Sequence, residues 1–190
     1  MKILLIKPET VGIFSFTYLV DHEPLEMEYL YTVFTRDGHE AVIHDRRYES
    51  ISLKKKLKKE KPDVVCITGY ITQEKRVKKL CEAIKRYKPD TRVILGGSHV
   101  EINYKNFYDS KADYLYLLSG LENMCRLVKD IEKKDDADIE EIPGICYKKN
   151  GEWVALGAAG VYNIVRARMG EVSTLKKHSP HVLRHTFATT

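Results

Sequence analysis

The sequence predicts an α/β protein built on one doubly wound, parallel, five-stranded sheet with helices on both faces. Three observations predict it. Continuously apolar, β-branched runs such as KILLI (2–6), DVVCIT (63–68) and RVILGG (92–97) recur along the chain, as strands buried on both faces require. Segments with apolar residues at helical spacing stand between them. The two kinds alternate strictly, and parallel strands joined by right-handed crossovers answer that alternation.

KILLI is the first strand. The opening MKILLIKPET carries an apolar stretch too short for a secretory segment and lacks a small-residue cleavage site, so it reads as the buried first strand of a cytoplasmic protein. Leu25 to Arg36 forms a helix closed by Gly38 as its C-cap. AVIHD (41–45) is a weaker second strand, and LKKKLKKEK (53–61) a helix with two apolar positions whose lysines make a solvated face. After DVVCIT, the third strand, Val77, Leu80, Cys81, Ile84 and Tyr87 line one side of a helix over 73–88. RVILGG is strand four and DYLYLL (113–118) strand five. The last helix, 121–134, shows Leu121, Met124, Cys125, Val128 and Ile131 in the same spacing. The expected order is 2-1-3-4-5, a flavodoxin-like (Rossmann-like) arrangement. It places a ligand crevice at the carboxyl ends of strands 1, 3 and 4.

Bulk properties fit one well-buried core. The chain has 190 residues, 43% hydrophobic and 31% charged, and no apolar run of the roughly 18 residues a membrane span needs. Cys66, Cys81, Cys125 and Cys146 lack C-x-x-C spacing, so they read as small core hydrophobes, with neither a metal site nor a disulfide framework. The net charge of +5 is uneven: residues 161–190 hold five cations against Glu171, which is +4, leaving +1 for the first 160. A nucleic-acid hint therefore belongs to the tail.

The turns that leave the strands supply the candidate site. ITGYITQ (67–73) follows strand three, with Thr68, Gly69, Tyr70 and Thr72 offering hydroxyls and a bare backbone near a helix start. LGGSHV (95–100) follows strand four. There Gly96 and Gly97 remove two side chains, which suits either a close ligand or a tight turn, and Ser98 and His99 come next. After strand five, LLSGLEN (117–123) adds Ser119 and Gly120. Three small-residue turns thus meet at one sheet edge.

Taken in order, LLIKPE (4–9), EPLEMEYLYTVFTRDGHEAVIHD (23–45), KPDVVCIT (61–68), VILGGSH (93–99), ADYLYLLSGLEN (112–123) and IPGICYKKNGEWV (142–154) resemble one family. It is the cobalamin (B12)-binding domain at the N-terminus of B12-dependent radical SAM proteins, and the resemblance covers about residues 1–155. It implies a cobalamin-binding α/β domain over 1–140, a β-hairpin extension over 141–155, and a linker and tail over 156–190. Thr68, Gly69, Tyr70, Thr72, Gly96, Gly97, Ser98, His99, Ser119 and Gly120 match the positions where such domains meet the cofactor. The D-x-H-x-x-G motif that supplies a cobalt ligand in the methionine-synthase type does not follow strand one here. The resemblance therefore implies base-off cobalamin without a protein His ligand, and His99 forms a turn rather than ligating metal. Phe14, Phe16 and Tyr18 either cover the lower corrin face or simply pack within their loop.

Two features bound what the chain does. It contains no C-x-x-x-C-x-x-C triplet, so no iron–sulfur cluster and no radical SAM chemistry are expected within it, and a separate radical SAM catalytic subunit would be its partner. The tail, about 161–190, resembles a fragment of the tyrosine recombinases (phage-type integrases) through SPHVLRHTFAT, where His181 and Arg184 match the phosphate-gripping pair. The remaining catalytic residues, including the Tyr nucleophile, have no counterparts, so these two are vestigial and no covalent strand exchange is expected. Two function classes follow: a cobalamin-binding module, or a DNA-associated protein with weak, non-specific affinity through the tail. An inert fusion product, a homodimer and the absence of membrane contact complete the expectations.

Overall fold

The computed structural model describes residues 1–9, 24–117, 120–133, 139 and 142–154. Within them seven strands form one sheet, ordered β2-β1-β3-β4-β5-β6-β7. The strands are β1 (Lys2–Lys7), β2 (Glu40–Asp45), β3 (Val64–Thr68), β4 (Arg92–Gly96), β5 (Tyr114–Tyr116), β6 (Ile145–Lys149) and β7 (Glu152–Val154). The first five are mutually parallel, in the expected order 2-1-3-4-5. The C-terminal hairpin continues the same sheet: β6 runs antiparallel to β5, with Leu115 opposite Cys146, and β7 antiparallel to β6.

Helices α1 (Leu25–Arg36) and α5 (Leu121–Lys133) cover one face, while α2 (Leu53–Glu60), α3 (Glu74–Tyr87) and α4 (Ser98–Asn103) lie on the other. The strand period of two sorts the core accordingly. Ile3, Leu5, Val64, Cys66, Ile94 and Tyr114 face Met27, Phe34, Met124 and Val128. Leu4, Ile6, Val65, Ile67, Val93 and Leu95 face Leu57, Val77, Leu80 and Ile84. Burying each such side chain contributes on the order of 2 kcal/mol, enough to fix the register on both faces.

Local chemistry sets the helix ends. Gly38 takes φ +86 after α1. The Gly38 and His39 amides then reach the Thr35 and Phe34 carbonyls at 3.1 and 2.9 Å, the double closure that a left-handed residue after a helix permits. Ser52 caps α2 by accepting from the Lys55 amide. The lysines of α2 form a solvated face except Lys56, which is buried and donates to Glu49 at 3.1 Å.

Two elements differ from expectation. β5 is shorter than DYLYLL, since only Ile94 and Leu95 of β4 have partners on it. α4 and the 3-10 turn Tyr104–Phe107 fill a stretch for which no helix was expected. Six residues give too few turns for a helical spacing to show. All four cysteines are buried and free. Among the described residues no helix is long and apolar enough to cross a membrane.

Candidate functional site

At the carboxyl edge, the face covered by α1 and α5 is not closed. A slot of about 220 Å³ opens there between the sheet and these two helices. Its floor extends the strand period of two past the core: Cys66 then Thr68 on β3, Ile94 then Gly96 on β4, and Tyr116 on β5. Met27 and Leu30 of α1 and Leu121 and Met124 of α5 form its walls, and Glu26, Gly97, Glu101 and Gly120 also border it. A mainly apolar cavity of this size lies below the ~300–1,000 Å³ of most drug-sized ligand sites and is on the scale of one flat ring system.

The glycines keep the slot open for different reasons. Gly97 has φ +100 and ψ 164, and a Cβ there would stand 2.6 Å from Thr68 Oγ1. Only glycine allows the turns after β3 and β4 to touch. At Gly69 a Cβ would stand 2.8 Å from Val77 Cγ2, so glycine seats the turn on α3. Gly96 is unlike both: a Cβ would meet only Tyr116 Cβ, at 3.7 Å, an ordinary contact. What a side chain at 96 would fill is the slot. Gly120 closes the rim, its carbonyl accepting a hydrogen bond from the Tyr116 hydroxyl. Burial pushes that phenol up to about 12, so it remains a neutral donor.

Behind the slot the turns are braced. Buried Gln73 accepts from the Tyr70 amide at 3.0 Å and donates to the Pro8 and Glu9 carbonyls at 3.2 and 3.1 Å, tying the turn after β3 to that after β1. Lys7, 2% exposed at the end of β1, pairs with Glu26 and lies 4.9 Å from the Tyr70 ring centre. A buried lysine requires such partners.

The expected site residues separate into three groups. Thr68, Gly96, Gly97 and Gly120 come together around the slot. Gly69, Tyr70, Thr72, Ser98 and His99 share the edge but do not line it. Thr72 is exposed in a separate depression with Ile71, Glu74, Lys75 and Arg76, and Ser98 is the exposed first residue of α4. His99 is buried, with Nε2 3.0 Å from Glu74 Oε2, Nδ1 3.2 Å from Asn103 Nδ2 and its ring edge-on to Phe107. The hydrogen bond with His99, against the opposing effect of burial and with help from Lys78 and Asn106, holds the Glu74 carboxyl down to about 2. His99 is thus a brace between α3 and α4. Ser119, His181 and Arg184 lie outside the described residues, as do Phe14, Phe16 and Tyr18.

Sequence reasoning missed the rest of the lining: Glu26, Met27, Leu30, Cys66, Ile67, Ile94, Glu101, Tyr116, Leu121 and Met124. A signal for the floor existed at one strand, because Ile94–Gly96 drops from a large side chain to none at the strand end, on one face.

The sequence matches the B12 binding domain over residues 13–128. No curated protein matches it. Among solved structures, the radical S-adenosylmethionine methyltransferase TsrM from Kitasatospora setae, with cobalamin and a 4Fe-4S cluster bound, superposes with a TM-score of 0.66 at 18% identity, over 81% of this chain and 28% of that one. The cobalamin-dependent S-adenosylmethionine radical enzyme OxsB, with aqua-cobalamin and S-adenosylmethionine bound, gives 0.66 at 15%, over 81% and 22%. A cobalamin-binding protein from Desulfitobacterium hafniense DCB-2 gives 0.52 at 19%, over 68% and 58%. At these identities the likeness is one of fold, and the chain spans less than a third of TsrM or OxsB in these two comparisons.

Proposed function

The chain belongs to the B12-binding domain family, and from that premise we propose that it is the cobalamin-holding module of a B12-dependent radical SAM-type protein, without catalysis of its own. The slot carries the proposal. Cobalamin is a corrin ring with a nucleotide tail that ends in dimethylbenzimidazole, a flat, largely apolar bicycle. The slot's size and its floor of Cys66, Thr68, Ile94 and Gly96 suit that base, with Met27 and Met124 against its faces. A tail held there is away from the cobalt, which is the base-off form.

The protein's part is to hold and to shield. Thr68, Gly96, Gly97 and Gly120, with Ser119 beside them in sequence, border the tail, while Gly69, Tyr70, Thr72, Ser98 and His99 build the surrounding edge on which the corrin would rest. Bound cobalamin would supply redox-active cobalt chemistry. None of the described histidines borders the slot, and the ring nitrogens of His99 are both engaged, in keeping with binding without a protein His ligand. The chain's four cysteines are too scattered to hold a cluster, in keeping with a catalytic partner elsewhere. In this reading residues 1–140 are the binding domain, 141–155 its hairpin, and 156–190 a linker and recombinase-like tail that performs no chemistry.

The test is to mix the full-length chain with hydroxocobalamin, desalt it and record the visible spectrum. Retained colour with a base-off spectrum is expected, and colourless wild-type protein overturns the proposal. Gly96→Leu should lose the colour while far-ultraviolet dichroism and Tm stay unchanged, because its Cβ makes only an ordinary contact with Tyr116 and the rest of the side chain enters the slot. Gly97→Leu does not serve, since it would push Thr68 and distort the turn itself.

A further inference from the structure

The slot's mouth carries a charge pattern that an apolar base does not explain. Glu26 of α1 and Glu101 of α4 both border it, although their helices pack on opposite faces of the sheet: Met27 belongs to one core and Val100 to the other. Two acidic side chains therefore converge on one opening from two sides. Glu26 is fixed there by its pairing with buried Lys7. The Tyr116 hydroxyl, also on the slot, is committed to the Gly120 carbonyl. At the mouth these two side chains are acceptors, because a carboxylate accepts hydrogen bonds and donates none, while the Thr68 hydroxyl on the floor can do both.

Resting on the cobalamin-module reading, we propose that Glu26 and Glu101 form an acidic lip that accepts hydrogen bonds from the hydroxyls of the nucleotide's ribose, making the slot selective for a corrinoid with a complete nucleotide tail. A group held at such a lip must donate. The benzimidazole passes through to the apolar floor, and an anionic phosphate is repelled and stays outside. Of the tail's parts, the ribose between them carries the free hydroxyl donors. Lys7 acts as a positioning residue that keeps the Glu26 carboxylate at the mouth.

The experiment uses the full-length chain and two probes: hydroxocobalamin, and dicyanocobinamide, a corrin that lacks the nucleotide. Affinities are measured for wild type, Glu101→Met, and the double variant Lys7→Met with Glu26→Met, which avoids leaving the buried lysine unpaired. Loss of one charge-assisted hydrogen bond should weaken hydroxocobalamin by about 10-fold or more. Dicyanocobinamide should change less than about 2-fold, with Tm preserved. Unchanged hydroxocobalamin affinity, or equal losses for both corrinoids, overturns the lip. Wild-type protein that binds neither corrinoid overturns the underlying reading as well.

Discussion

The two ends of the same sheet are finished in opposite ways. At the amino edge, strand starts are capped by carboxylates that also hold cations. Asp63 accepts from the Lys2 amide at 2.9 Å and sits 3.5 Å from Lys88 Nζ. Asp113 accepts from the Val93 amide at 2.7 Å and pairs with Lys85 at 2.6 Å and, more distantly, with Arg92 at 3.6 Å. The cleft there is the larger of the two, about 550 Å³, yet these paired ions line it. At the carboxyl edge β3 and β4 run out into Gly69, Gly96 and Gly97, with Gly120 beyond β5, and the space left is a smaller, mainly apolar slot. On the proposed reading, cavity size is a poor guide to function in this fold. What matters is whether the polar groups at the edge are already satisfied by one another, as at the amino edge, or leave open space at the strand ends where α/β sheets take ligands.

The strongest way to break that contrast is at Gly97. Its backbone lies in a region essentially reserved for glycine, and a Cβ would press on Thr68 Oγ1. Gly97→Ala should cost about 3 kcal/mol of stability and remove corrinoid retention with it, whereas Gly96→Ala should lie within about 0.5 kcal/mol of wild type. Urea denaturation of the two variants side by side checks this. Equal stability would mean that the glycine pair is interchangeable and the turn geometry irrelevant.

A second substitution addresses the other edge. Asp113→Ala leaves the Val93 amide without its carboxylate and Lys85 with only the Pro89 and Thr91 carbonyls. Losing hydrogen bonds to a charged group should cost about 2 kcal/mol. Hydroxocobalamin retention should be unchanged, because the slot lies at the opposite end of the strands. A loss of retention in folded Asp113→Ala protein would mean that the two edges are coupled.

The third is a matter of pH. Glu74 is held down to about 2 in the folded protein, first by its hydrogen bond with His99, against an ordinary value of 4.5. A carboxyl depressed on folding adds stability that is complete above its unfolded value and disappears as pH falls through the folded one. Glu74→Gln should therefore be less stable than wild type at pH 6, by about 1–2 kcal/mol. The gap should narrow between pH 4.5 and 2. A gap that stays constant over that window would place the brace's contribution in packing rather than charge.

These contrasts also mark what could be read before the structure. The strands and their order were legible because runs such as VVCIT and RVILG are apolar at every position, which only a sheet covered on both faces explains. The small turns were legible because glycine has a conformational meaning of its own. The slot walls were not. Met27 and Met124 sit at the same helical spacing as residues that fill the core, and nothing local tells a side chain packed on the sheet from one beside a gap at its end. Lys7 was hidden for a related reason: its partner Glu26 is brought in by the fold from nineteen residues away. His99 was expected to form a turn, whereas it is buried in α4, and Glu74 and Asn103 as its partners were not legible.

The smallest effect is the one that draws the boundary of the slot. Thr68 and Thr72 stand in one turn sequence, and by resemblance both belong to the cofactor site. Thr68 is buried, lines the slot and touches the Gly97 turn, while Thr72 is exposed in a separate depression among Glu74, Lys75 and Arg76. Thr68→Val exchanges a hydroxyl for a methyl on the floor of the slot and should weaken hydroxocobalamin several-fold, the scale of one neutral hydrogen bond of about 1 kcal/mol. Thr72→Val alters only a solvated surface, so its affinity should stay within about 2-fold of wild type and its stability within about 0.5 kcal/mol. Titration of both variants against hydroxocobalamin, followed by the visible spectrum, separates them. If Thr72→Val proves the weaker binder, the ligand's contacts extend across the outer edge of the turn, and the slot's rim must be redrawn to include the start of α3.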